Sequence, residues 1–127
     1  MARLKEIVFD SLYPASLARF WAAALEGYDV RPYDDEEIAR LAALGYTHET
    51  DPCVMVDGPG PSLCFQCVEE LRPAKGRVHL DVTAPGARRD ELIRLMALGA
   101  TIRDDHEDFT VMLDPEGNPF CVQDPRA

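Results

Sequence analysis

The sequence predicts an α+β fold made of two βαβββ modules, and three observations carry that prediction. Short stretches alternate apolar and polar residues with the period of a strand. Between them lie stretches with the 3.6-residue period of an amphipathic helix. The order strand, helix, strands then occurs twice along 127 residues. That length suits one domain with a core of its own.

The elements follow in order. "LKEIVFD" (4–10) reads as a strand with Ile7 and Phe9 on one face and Glu6, Val8 and Asp10 on the other. In "YPASLARFWAAALEG", Pro14 suits a first helical turn and Leu17, Phe20, Trp21, Ala24 and Leu25 share one face. Gly27 ends this helix. A short strand near 28–33 precedes "DDEEIARLAALG", a second helix whose first-turn acids favour the helix dipole. "CVMVDGPG" and "SLCFQCV" predict a hairpin turning at 57–60.

The second half repeats the plan. "GRVHLDVTAPG" holds a strand with Val78, Leu80 and Val82 on one face and Arg77, His79, Asp81 and Thr83 on the other. "ARRDELIRLMALG" is a helix with Leu92, Leu95 and Met96 as its core face and Gly99 as its stop. "ATIRD", "FTVML" and "PFCVQD" are strands, the last reached through "DPEGN". Aligning Glu6 with His79 sets Phe65-Gln66-Cys67 against Phe120-Cys121-Val122 as closing strands. The modules then span about 1–70 and 76–127, with a helical insert at about 34–50 in the first. Whether that insert is a lid or a surface decoration is left open.

Composition excludes several function classes. A net charge of −10, with no basic run longer than Arg88-Arg89, argues against a nucleic-acid backbone as partner. No run is long and apolar enough for a membrane span. The opening "MARLKEIVFD" turns polar too early for a secretory segment, so a cytoplasmic location is expected. Four cysteines without an export signal are expected to be reduced thiols. In "SLCFQC", strand alternation puts Cys64 and Cys67 on opposite faces, with Leu63, Phe65 and Cys67 towards the apolar layer. A redox C-x-x-C needs both sulfurs at a helix N-terminus, and structural zinc needs a second pair. Both cysteines are therefore read as small packing residues.

The polar strand faces point to function. Glu6, Asp10, Cys64, Gln66, His79, Asp81, Cys121 and Gln123 all lie on the face turned away from the helices. Sulfur and imidazole are unusual choices for a plain solvent face, so these residues are expected to line a ligand-binding cleft. His48 and His106, in "THETD" and "DDHED", are read as solvated, and Trp21 as core packing.

"PASLARFWAAALEG", "RVHLDV", "RLMALGAT" and "LDPEGNPFCV" resemble the vicinal-oxygen-chelate superfamily, in particular its small glyoxalase-like domains. That superfamily includes glyoxalase I, bleomycin-resistance proteins and extradiol dioxygenases. The resemblance implies a curved eight-stranded mixed sheet around a cleft, with helices on its outer face and two copies forming a homodimer. It also implies a metal position at Glu6, Gln66, His79 and Cys121, where His79 matches the family set and Gln66 and Cys121 replace carboxylates. Glu6 and Asp81 are the candidate acid–base groups. Arg77 is a possible ion-pair partner for Asp81. The H-x-D at 79–81 also suits the iron site of a cupin, with His106 as partner, but two long amphipathic helices do not fit a jelly roll.

Two readings follow from the resemblance. The first is a domain that binds a small organic molecule, such as a drug or metabolite, with no cofactor and a degenerate or absent metal site. The second is a lyase, isomerase or dioxygenase using zinc, nickel, manganese or iron at Glu6, His79 and Cys121.

Overall fold

The computed structural model describes residues 1, 3–70 and 78–125. The chain divides into two compact units, 1–71 and 72–127. In the first, β1 (Glu6–Ser11), α1 (Pro14–Ala24), β2 (Asp29–Val30), α2 (Asp35–Ala43), β3 (Cys53–Asp57) and β4 (Ser62–Cys67) follow in order. In the second come β5 (Leu80–Thr83), α3 (Arg88–Leu98), β6 (Thr101–Asp105), β7 (Phe109–Leu113) and β8 (Pro119–Gln123). Each unit carries one four-stranded mixed sheet, ordered β1-β4-β3-β2 and β5-β8-β7-β6. The two orders are the same, so the duplicated βαβββ plan holds, with α2 as the extra element of the first unit.

Within unit 1, β1 runs parallel to β4, and β4 antiparallel to β3. Their registers align Ile7 with Leu63, Phe9 with Phe65, and Val54 with Phe65. These residues make one apolar face, against which α1 lays Leu17, Ala18, Phe20 and Trp21, all buried. Trp21 meets Phe9 at 6.1 Å between ring centroids and Phe20 edge-on at 5.2 Å, which confirms it as packing. The Asp34 carboxylate accepts from the Glu37 backbone N–H and caps α2, whose three first-turn acids face its positive end.

Unit 2 packs Leu92 and Leu95 of α3, with Met112, Phe120 and Val122, into its core. Gly99 closes α3 at φ +118, a left-handed conformation that a side chain disfavours. In "DPEGN", the buried Asp114 carboxylate accepts from the backbone N–H of Glu116 and Asn118 and from the Asn118 amide. Gly117 supplies φ +84 for the same turn. That lattice is why this motif turns the chain so tightly into β8.

Several expectations are corrected. β5 begins at Leu80, so Val78 lies ahead of it and is exposed rather than in the core. Met96 is also exposed: α3 buries a narrow face, and Met96 falls beside it. Cys67 is exposed at the end of β4, while Cys64 is buried, the reverse of the expected packing. The alternation of faces is right, but the end of a strand outruns its helix cover. His48 and His106 are exposed as expected, each stacked on an aromatic ring, Tyr33 and Phe109. Among the described residues, no helix is long and apolar enough to cross a membrane.

Candidate functional site

β1 lies parallel beside β4 in unit 1, and β5 parallel beside β8 in unit 2, so the polar faces of each pair merge. Register pairs Val8 with Cys64 and Asp10 with Gln66 in unit 1. In unit 2 it pairs Asp81 with Cys121 and Thr83 with Gln123. The two pairs of strands therefore equate Cys64 with Cys121 and Gln66 with Gln123. Setting Gln66 against Cys121 when Glu6 is aligned with His79 is thus two residues out of step. A two-residue slip keeps every side chain on its face, so alternation alone could not reveal it.

The consequence is local. Glu6 stands opposite Ser62, and Gln66 lies four residues further along β4, opposite Asp10. Glu6 is half-buried, with Lys5 at 3.5 Å from its carboxylate, whereas Asp10 and Gln66 are exposed. Cys64 is the buried thiol of this face. Burial first, then the neighbouring Cys53 thiol and the Glu6 carboxylate, push its pKa up to about 12. Cys53 was not singled out in the sequence, yet its sulfur lies 3.1 Å from that of Cys64.

Unit 2 assembles a tighter group. Oδ1 of Asp81 lies 3.1 Å from Nε2 of His79, and Oδ2 of the same carboxylate accepts from Nε2 of Gln123 at 3.3 Å. Cys121 sits across from Asp81 on the adjacent strand. The Cys121 thiol is raised above its ordinary pKa, first by burial and then by the Asp81 charge, with Arg103 opposing. One donor atom each from His79, Asp81 and Cys121 lies within 4.8 Å of the others. Among the described His, Cys, Asp and Glu residues, this is the group whose spacing suits a metal ion. Arg77, the possible ion-pair partner of Asp81, lies outside the described residues.

The donor set fits a divalent ion. Imidazole nitrogen, thiolate sulfur and carboxylate oxygen are the three ligand types zinc accepts, and small rotations bring such atoms to its bond lengths of about 2.0–2.3 Å. Asp81 is the donor the resemblance did not supply. The signal was present in the H-x-D spacing, which turns both side chains to one side of an extended chain, although His79 itself lies just ahead of β5 rather than in it.

The family model of the glyoxalase-like domain matches residues 6–123, and the chain belongs to that family. A glyoxalase/bleomycin resistance protein/dioxygenase family enzyme from Burkholderia phytofirmans PsJN has a similar structure, with TM-score 0.67 and 15% identity over 97% of this chain and 98% of that one. A glyoxalase-related enzyme from Fulvimarina pelagi gives TM-score 0.66 at 12% identity, over 98% and 89% of the two chains. A possible glyoxalase from Bacillus cereus gives 0.64 at 11% identity, over 97% and 99%. At such identities the likeness is one of fold. Curated proteins yield no match.

Proposed function

We propose that this glyoxalase-like domain binds a small organic molecule next to a divalent-cation site formed by His79, Asp81 and Cys121, with zinc as the ion. The observation that carries this reading is the convergence of three different donors within 4.8 Å of one another, from the residue just ahead of β5, from β5 and from β8. Three protein donors leave a coordination position open, the pattern of a zinc site that acts on a substrate rather than one that only holds a fold. A bound ion would supply Lewis acidity towards a carbonyl or hydroxyl oxygen. The residues do the positioning: Asp81 fixes the imidazole of His79, and Gln123 fixes Asp81.

The neighbouring side chains suit an organic ligand. Val111 stands opposite Cys121, and Phe109 opposite Gln123, so apolar surface flanks the polar group on the same face. The ligand class is a small oxygen-bearing metabolite or drug. The reading further takes the protein as a homodimer, as its family resemblance implies, and as cytoplasmic, from its polar opening segment; light scattering of the purified protein tests the mass.

A second, metal-free reading has its own support. His79 and Asp81 are 54% and 50% exposed at their side chains, so the pair gains little from desolvation and an ion there competes with water. In that case the domain sequesters its ligand without chemistry. Thermal melting of chelator-treated protein with zinc, nickel, manganese or ferrous iron, the last without oxygen, separates the two. A metal-dependent rise in Tm that His79→Ala abolishes supports the first reading. Equal melting with and without every metal leaves the second.

A further inference from the structure

Cys53 and Cys64 stand one diagonal step apart on antiparallel strands: Cys53 faces Gln66, and Met55 faces Cys64. Their sulfurs are 3.1 Å apart. That is inside the ~3.5–4.0 Å of an ordinary non-bonded contact between heavy atoms. It is only about 1 Å beyond the ~2.05 Å of a disulfide bond. The two thiols differ in access, since Cys53 is exposed and Cys64 is 5% exposed.

Cys53 also opens onto a cavity. Within unit 1, a space of about 480 Å³ lies beside α2, with Cys53, Met55, Arg31 and Tyr33 among its lining residues. Cys64 is not part of that lining. A small molecule in the cavity thus meets the outer thiol and not the inner one. The charge of the wall is negative. Its two arginines are already engaged, Arg31 with Asp57 and Arg40 with Glu37. Asp34, Glu36 and Asp51 add three more carboxylates to the same wall.

We propose that Cys53 and Cys64 are a thiol–disulfide exchange pair whose co-substrate, bound in this cavity, is a low-molecular-weight disulfide carrying amines. Cys53, after losing its proton to solvent, attacks one sulfur of the small disulfide. The S–S bond breaks, one small thiol leaves, and Cys53 holds the other half as a mixed disulfide. Cys64 then attacks the Sγ of Cys53 and expels the second small thiol, which leaves with the proton Cys64 gives up. Two protein thiols are oxidised to one disulfide, and one small disulfide is reduced to two small thiols. Cys67 takes no part, because it lies on the opposite face of β4 from Cys64.

Cystamine tests the proposal on the reduced full-length protein. Non-reducing peptide mapping should find Cys53 joined to Cys64, whether or not the exposed Cys67 carries a cysteamine adduct. Cys64→Ser should stop at a stable cysteamine adduct on Cys53. Cys53→Ser should leave Cys64 unmodified over the same period. Glutathione disulfide, which is anionic, should react about tenfold or more slowly at low salt, with the gap narrowing as salt is added. Linkage or labelling confined to Cys67 and Cys121 would overturn the pair. Labelling of Cys64 in Cys53→Ser at the wild-type rate would overturn the order of attack. Equal rates for the two disulfides at low salt would overturn the choice of co-substrate.

Discussion

Nε2 of Gln123 donates to Oδ2 of Asp81 at 3.3 Å, while the other oxygen of that carboxylate faces Nε2 of His79 at 3.1 Å. The amide therefore sets the plane of a carboxylate that would otherwise rotate freely at an exposed position. Under the proposed cation site, Gln123 orients a ligand without being one. Gln123→Ala is expected to weaken zinc binding about tenfold without abolishing it, since outer partners of metal ligands typically contribute 10–100-fold. Competition against a chromogenic chelator measures the loss.

Tyr33 and Asp51 tie the two ends of the α2 insert together. The phenol donates to Oδ2 of Asp51 at 2.7 Å, and the Cys53 backbone N–H donates to Oδ1 at 3.0 Å. Asp51 is only 4% exposed, so Tyr33→Phe leaves a buried carboxylate oxygen short of a partner. The expected cost is about 1–3 kcal/mol, read as a lower Tm.

The same pair sets an alkaline limit. Burial, and then the bond to Asp51, hold the Tyr33 hydroxyl above its ordinary pKa. A raised folded-state value means the contribution is intact below the ordinary tyrosine pKa of about 10. It is lost as the pH climbs from there through the folded value. The Tm gap between wild type and Tyr33→Phe should therefore narrow above about pH 10 and stay constant between pH 7 and 9.

Asp57 gives the acid counterpart. Arg31 grips its carboxylate through two bonds of 2.7 and 2.9 Å, and Ser62 donates a third at 2.7 Å. Arg31 first, and then Ser62, hold the Asp57 pKa down to about 2. A depressed value contributes stability above the ordinary aspartate pKa of about 3.9 and loses it as the pH falls through about 2. Asp57→Asn should flatten the stability profile between pH 4 and 2. Because the pair is 52% and 41% exposed at its side chains, the effect at pH 7 should be about 1 kcal/mol or less.

Gly117 tests the turn that enters β8. Its φ of +84 is open to glycine at no steric cost, and it holds Asn118 where its backbone and side chain meet Asp114. Gly117→Ala is expected to cost about 1–2 kcal/mol, measured by urea denaturation.

The fold was legible because its signals are local. Leu17, Phe20 and Trp21 announce a helix face by spacing, and Ile7 and Phe9 announce a strand face by alternation. The DPEGN motif likewise carries its own hydrogen-bond plan. The site was only half legible. Alternation placed Cys64, His79, Asp81 and Cys121 on polar faces, but it could not say which residue of β4 stands opposite which residue of β1. That register is a matter of pairing between distant segments, and it shifted the counterpart of Cys121 from Gln66 to Cys64. The Cys53–Cys64 contact was hidden for the same reason, because the eye follows C-x-x-C along the chain and not the diagonal across a hairpin.

The proposed cation site rests on Asp81 together with His79 and Cys121. Calorimetric titration of zinc into chelator-treated wild type, Asp81→Ala and Gln66→Ala checks this. Wild type should take up one zinc per chain, Gln66→Ala should bind it with unchanged affinity, and Asp81→Ala should lose about 100-fold or more. Loss in Gln66→Ala with Asp81→Ala unaffected, or no heat of binding from the wild type, would contradict it.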